Sequence, residues 1–281
     1  MISKKFTALI LTALLLTLCG CGAGMPKQTP TIPEAVNEFN FSVLKVGQAD
    51  AIIMKTENHC VIIDCGEEED GDEVVKYLVD NGINNVDRLF ITHFDKDHIG
   101  GVPKVLDSVA VGEIITPAYE GTNGEYYSYL TALGEHSLTP MTLEDNISFT
   151  LDDVYFEVYP PEKDSYAEGD NDFSLAISVT HGGNRFLFTG DAEEERLTEI
   201  LNQVDGEYDF LKVPHHGRYN KYLKAFFEAV KPVYSIITDS DKNPAEERTV
   251  SALEAVGSEI YCTKDGDITV SSDGVELAIS Q

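Results

Sequence analysis

The decapeptide Thr92-His93-Phe94-Asp95-Lys96-Asp97-His98-Ile99-Gly100-Gly101 gathers two imidazoles and two carboxylates directly after the apolar run Val86 to Ile91. Nitrogen and carboxylate oxygen donors that converge on one point are the ligands a divalent metal takes. The run before them, β-branched and aromatic, predicts a buried strand. Side chains on a short loop at its carboxyl end would share one point outside the sheet. A plainer reading makes the stretch a strand-to-helix turn whose Asp and His residues cap the next helix, but a cap uses one such residue and not four.

Two further strand ends carry the same kinds of side chain. Asp191 follows Arg185 to Thr189 and Gly190, and His215 and His216 follow Phe210 to Val213 and Pro214. Repetition at three strand ends is much harder to obtain by chance than any single occurrence. The other histidines read differently. His59 lies in a polar turn and is expected in solvent, and His181 in the His181-Gly182-Gly183-Asn184 hairpin is expected at the surface. His136, at the end of a Tyr-rich helix, is either a surface residue or a ligand or substrate contact.

These loops need a scaffold. Phe39 to Val46, Ala51 to Lys55 and Cys60 to Ile63 read as strands, and Gly71 to Asn81 as a helix with a stripe of Val74, Val75, Leu78 and Val79 ended by Gly82. Val102 to Val109 and Glu125 to Glu135 are helical, the second carrying Tyr126, Tyr127 and Tyr129. Val154 to Tyr159, Phe173 to Thr180 and Arg185 to Thr189 are strands. From Glu193 onward helices (Glu193 to Asn202, Tyr222 to Val230, Glu246 to Val256) alternate with strands (Phe210 to Val213, Val233 to Thr238, Glu259 to Tyr261). Ile268 to Val270 and Val275 to Ile279 close the chain. Strands leading and βα units following, twice over, predict a duplicated α/β sandwich in a single domain, residues 39–281.

Composition bounds the rest. The 281 residues are 42% hydrophobic, enough for a sizeable core. Lys4 and Lys5, the apolar Phe6 to Leu18 and then Leu18-Cys19-Gly20-Cys21 read as a signal peptide with a lipoprotein-type end, placing a lipid on Cys21. Residues 1–21 are therefore the expected leader. Residues 22–38, with Pro26, Pro30 and Pro33, are an expected tether holding the domain at the extracytoplasmic face of the cell membrane, with no contact to the bilayer except the anchor. Cys60 and Cys65 bracket one strand, roughly 16 Å apart at strand rise and too far to bridge; with Cys262 they are expected as thiols. A formal charge of −29 opposes nucleic acid and anionic lipid unless a cation or a local basic patch intervenes, and no Lys/Arg run supplies one. The acidic run Glu67 to Glu73 reads as a solvated loop or, less simply, a calcium site.

With the motifs set out, Thr92 to Gly101 resembles the His-x-[His/Asp]-x-Asp-His signature of the metallo-β-lactamase fold hydrolases. Asp64-Cys65-Gly66, Thr189-Gly190-Asp191 and Val213 to Gly217 resemble the family's other motifs, in order. Val46-Gly47-Gln48-Ala49-Asp50-Ala51, Asn171-Asp172-Phe173-Ser174-Leu175 and Lys212 to Gly217 are similar to one branch, the extracytoplasmic hydrolase domain of bacterial competence DNA-uptake channel proteins. The resemblance implies a four-layer αββα sandwich and two divalent ions, zinc or manganese, that activate a water for hydrolysis. His93 and Asp95 would hold one ion and Asp97 and His98 the other. Asp191 would bridge them, and His216, or else its neighbour His215, would complete the second position. Asp97 or His216 would assist proton transfer, and Asp64, Asp50, Asn171 and Ser174 would orient ligands or meet substrate.

The chain departs from the pattern in three places. Asp95 stands where many relatives have His, which moves preference from zinc toward manganese or iron. Asn171 and Asp172 fill the region where a further His is usual, and Asn243-Pro244-Ala245-Glu246 replaces a His-containing segment. The implied activity is a phosphodiesterase or nuclease, with DNA as a possible substrate. Alternatives are a hydrolase of a cell-envelope ester such as phosphorylcholine, with Tyr119, Tyr126, Tyr127 and Tyr129 as an aromatic cage, and a non-catalytic binding protein of the same fold.

Overall fold

In the computed structural model, which describes residues 37–167 and 169–281, the apolar runs fold as two sheets packed face to face. The expected leader, Cys21 and all of the expected tether except its last two residues lie outside the described residues. In chain order the elements are β1 (Phe39–Val43), β2 (Ala51–Lys55), β3 (Cys60–Cys65), α1 (Gly71–Asp80), β4 (Asn85–Phe90), α2 (Lys96–Ile99), α3 (Val102–Ser108), β5 (Ala110–Pro117), α4 (Gly124–Glu135), β6 (Met141–Leu143), β7 (Ile147–Leu151) and β8 (Val154–Tyr159). They continue as β9 (Ala176–His181), β10 (Asn184–Phe188), α5 (Glu194–Gln203), β11 (Phe210–Lys212), α6 (Leu223–Val230), β12 (Tyr234–Ile237), α7 (Glu247–Ala255), β13 (Glu259–Cys262), β14 (Ile268–Ser272) and β15 (Leu277–Ser280).

One sheet runs β15-β14-β1-β2-β3-β4-β5-β6 and the other β13-β12-β11-β10-β9-β8-β7. Each changes character part-way. β1, β2 and β3 pair antiparallel, and β3 to β6 pair parallel. In the second sheet β7 to β10 are antiparallel, and β10 to β13 parallel. The expected duplication is thus present in the pairing itself. Loops leaving the carboxyl ends of parallel strands are where open α/β sheets collect ligands, and every candidate ligand loop of this chain leaves such an end.

Between the sheets lies an aromatic core. Phe41 meets Phe186 and Phe210 edge-on, with centroids 5.5 and 4.9 Å apart, a favourable ring geometry. A second core joins the first sheet to α1, α3 and α4 through Val74, Leu78, Val105 and Leu133, and a third joins the other sheet to α5, α6 and α7. These layers are the expected αββα sandwich. In α1 the stripe is narrower than the sequence predicts. Val74 and Leu78 are buried one turn apart, and Val79 points to solvent. β6 and β7 add short strands at the sheet edges that the sequence analysis does not assign.

Two further expectations change. His181 is fully buried: its Nδ1 lies 2.7 Å from Ser272 Oγ and its ring packs on Phe39, because the β14–β15 turn folds over the Gly182-Gly183 hairpin. His136 pairs with Asp107 at 2.9 Å on the surface. Cys60, Cys65 and Cys262 are thiols, the first two buried, and burial pushes Cys60 up to about 12, an unreactive state at neutral pH.

Candidate metal centre

β4 delivers Thr92, whose backbone N–H and hydroxyl both donate to the Asp64 carboxylate, at 2.8 and 2.7 Å. Asp64 itself has φ 57°, a left-handed conformation unusual for an L residue. That strain turns its carboxylate inward, where Oδ2 also accepts from His98 Nδ1 at 2.8 Å. With Nδ1 held by Asp64, His98 turns Nε2 inward, where it faces Asp191 Oδ1 at 3.4 Å. Asp95 occupies the cap position of α2, yet its carboxylate makes no cap bond. The capping explanation of this loop therefore fails.

β10 delivers Asp191 through Gly190. At Gly190 φ is 51°, and an added Cβ would sit 2.8 Å from Ser174 Oγ and 2.9 Å from Thr92 Cβ, so only glycine lets the two loops touch. Asp191 N–H donates to Ser174 Oγ at 3.0 Å. β11 delivers the Pro214-His215-His216-Gly217 turn, in which three successive residues are left-handed: φ is 46° at His215, 51° at His216 and 77° at Gly217. Each such non-glycine residue stores on the order of 1 kcal/mol or more. The turn sends the two imidazoles apart. His216 Nδ1 contacts Thr238 Oγ1 at 2.9 Å, and Thr238 Oγ1 donates to Asp50 Oδ1 at 2.7 Å. A hydroxyl already donating must accept, so His216 Nδ1 carries a proton and Nε2 is the atom turned to the pocket. It lies 3.1 Å from Asp191 Oδ2 and 3.3 Å from Asp97 Oδ2.

Asp97, His98, Asp191 and His216 each place one donor atom within 4.8 Å of the others, and Asp50, Asp64 and His98 form an adjoining group behind them. The Nε2 atoms of His93, His98 and His216 are buried with no hydrogen-bond partner. Orphaned buried polar atoms are rare, and three on one pocket, facing carboxylates, fit a divalent ion. The set is two nitrogens and two carboxylates at its fullest point, a mixture suited to zinc, manganese or iron.

The remaining predicted residues are placed less closely. His93 is buried beside His98, ring centroids 4.1 Å apart, with Nε2 3.7 Å from Asp95 Oδ2. Asp95 is part-exposed and outside the four-donor group. His215 turns away: its Nδ1 pairs with Glu193 Oε1 at 2.5 Å and its Nε2 stays 3.9 Å from Asp191 Oδ2. Asn171 donates to the same Glu193 oxygen at 3.1 Å. Asp50 is buried and paired with Lys212. Of the expected tyrosine cage, Tyr119, Tyr126 and Tyr129 pack on Phe94, and the Tyr119 hydroxyl accepts from Phe94 N–H, so they frame no open cage; Tyr127 alone of the four is exposed.

Sequence reasoning missed two residues. Lys212 is fully buried, paired to Asp50, 3.2 Å from Gly190 O and 3.5 Å from Asp191 Oδ1. A lysine in an apolar strand three residues before the His pair was the available signal. Glu193, two residues past Asp191, had none beyond its position. The charges are mutually dependent. Burial opposes every ionised group here, yet His216, His98 and Lys212 hold Asp191 well below the carboxylate range. In return Asp191, Asp64, Asp97 and Asp50 outweigh burial at the rings and raise both His98 and His216, the latter to about 9.

Comparison with known proteins agrees with this geometry. The metallo-beta-lactamase superfamily model matches residues 44–237. Recombination protein 2 of Haemophilus influenzae is 27% identical over 77% of this chain and 26% of its own length. Competence protein ComA of Neisseria gonorrhoeae is 26% identical over 80% of the chain and 30% of its own. Ribonuclease Z of Clostridium kluyveri is 27% identical over 64% and 49% respectively. The chain thus spans about a quarter to a half of these relatives. The metallo-beta-lactamase fold protein YhfI of Bacillus subtilis superposes with a TM-score of 0.57 over 84% of this chain and all of its own, at 9% identity, a likeness of fold. The chain belongs to the metallo-beta-lactamase superfamily, whose members are in general metal-dependent hydrolases.

Proposed function

We propose that the protein is a metal-dependent phosphodiesterase acting on nucleic acid, held by a lipidated Cys21 at the extracytoplasmic face of the membrane. The observation that carries the reaction type is the convergence of the His98 and His216 Nε2 atoms on the Asp97 and Asp191 carboxylates, with a third unpartnered Nε2, that of His93, beside Asp95. Similarity to Recombination protein 2, Competence protein ComA and Ribonuclease Z supports the choice of substrate. Among the described residues no helix is long and apolar enough to cross a membrane.

Asp97, His98, Asp191 and His216 would hold one divalent ion, and His93 and Asp95, with Asp191 between, a second. A cation there supplies Lewis acidity, making water a stronger nucleophile and neutralising charge that develops on a phosphoryl oxygen. Asp64 and Thr238 fix the two ring tautomers so that both Nε2 lone pairs face inward. His216 uses both nitrogens in these tasks. Asp97, the most exposed of the four donors and held ionised despite its burial by His216 and His98, is placed to take the proton from the attacking water. His215, braced by Glu193 on the open side, orients the scissile phosphate. The test is incubation of the purified chain with bis-p-nitrophenyl phosphate and linear DNA, with manganese or zinc, alongside elemental analysis. Cleavage of both is expected; no cleavage by protein that carries metal rejects the proposal.

A further inference from the structure

The overall charge of −29 poses a physical problem for any enzyme that must hold a polyanion, and the fold contains an answer that the linear sequence hides. Most cations of the described chain are neutralised locally: Lys76, Lys96, Lys104, Lys163, Lys212, Lys221, Lys231 and Arg88 each lie against a carboxylate. Besides Lys45, Lys55 and Arg185 on other parts of the fold, the cations of the described residues without such an ion pair are Arg218, Lys242 and Arg248. They are exposed, and among the described residues none has a carboxylate partner. Thirty residues separate the first from the last in sequence, but the fold brings their segments together beside the His216 turn. Arg218 N–H donates to His215 O at 2.8 Å, so the Arg218 backbone is tied to the turn that carries His215 and His216. Glu246 N–H donates to Gly217 O at 3.1 Å, joining the second segment to the first. Gly217 packs so closely on Ala245 that an added Cβ would sit 2.9 Å from it.

The Arg248 guanidinium lies 3.6 Å over the Tyr219 ring, a stacking contact that orients the fork while leaving its edge N–H groups open. Lys242 sits on the tight Ser240–Asn243 turn just past Thr238 and Asp239. Tyr222, exposed at 38%, adds an aromatic face next in line. The carboxylates nearest in sequence, Asp241, Glu246 and Glu247, are exposed too but pair with none of the three cations. Unpaired guanidinium groups and aromatic rings on segments that adjoin the His216 turn match a strand that alternates phosphates and bases.

We propose that Arg218, Lys242 and Arg248, with Tyr219 and Tyr222, form the docking surface for a single nucleic-acid strand that leads its phosphodiester into the centre. The proposal rests on the phosphodiesterase reading, and binding can be measured without turnover. The full chain is titrated against a fluorescein-labelled single-stranded 20-mer, DNA and RNA in separate arms, by anisotropy at several salt concentrations. The R218E/R248E variant is expected to lose at least about tenfold in affinity, and its log–log salt slope to fall by about 1.4, for two lost phosphate contacts on a single strand. A control, K76E/K231E, makes the same change in net charge far from the turn and is expected to bind within about twofold of the parent.

Loss of binding in the control equal to that in R218E/R248E, or no loss in either, overturns the proposal, as does a parent chain that binds neither strand. Displacement of the strand by inorganic polyphosphate as effectively, charge for charge, as by unlabelled strand overturns the nucleic-acid assignment, because bases would then contribute nothing. Hydrolysis of bis-p-nitrophenyl phosphate by the same preparations is read separately: its absence with strand binding intact counts against the phosphodiesterase reading and leaves the docking surface standing.

Discussion

The two halves of the candidate centre are built to different standards. Around His216 three of the four donors are braced from behind: Asp64 holds His98, Thr238 holds His216, and Ser174 and Lys212 hold Asp191. Around His93 the pocket has one buried imidazole and one part-exposed carboxylate 3.7 Å away, and among the described residues no third donor is tightly grouped with the two. A well-braced set has little entropy to lose on binding an ion, whereas an open pair must recruit water or substrate to fill its shell. The difference teaches that one ion position is a property of the fold and the other a property of the loaded complex.

Four measurements would break or sharpen that contrast. Asp191 serves both halves, so Asp191→Asn is expected to empty both and lower kcat/KM for bis-p-nitrophenyl phosphate by about a thousandfold or more, on the order of 4 kcal/mol of barrier; retained metal by elemental analysis would contradict the shared role. Acid should act on the braced half. In the metal-free protein His216 holds its proton up to about pH 9, and an ion must displace that proton. Affinity is therefore expected to fall as pH drops below about 9, by about fiftyfold between pH 9 and 7 from this ring alone. Calorimetry in buffers of differing ionisation enthalpy would register the released proton.

Asp64→Asn weakens only the bracing. A loss of roughly 10–100-fold in affinity for the first ion is expected, with the second position unchanged. Finally, Asp95→His supplies the sparse half with a nitrogen. A shift of several-fold toward zinc over manganese at the second equivalent is expected, read by native mass spectrometry; an unchanged ratio would mean that Asp95 takes no part in binding.

Much of the centre was legible because ligand residues at strand ends are local signals: a few residues of loop follow a run of apolar ones. The αββα layering was legible for the same reason, since strand-first then βα order constrains the sheets. What was not legible depends on distant packing. His181 reads as a surface turn residue until the β14–β15 turn, some ninety residues later, covers it. Glu193 becomes the brace of His215 only because two strands carry their loops to a common edge. Lys212 looks misplaced in an apolar strand until Asp50, from the other sheet, is set against it. The same long-range assembly brings the scattered segments of Arg218, Lys242 and Arg248 together.

Lys212 has a consequence for the order of events in the life of the chain. Carboxylates massed in a dry pocket would push a nascent fold apart, and many metal proteins stay unfolded until an ion arrives to quiet that repulsion. Here a lysine ammonium, two protonatable rings and a set of hydroxyls already balance the acids. Maturation can then proceed in two separate stages, polypeptide first and ion afterwards, so the metal that the folded chain meets sets its occupancy without deciding whether the fold forms.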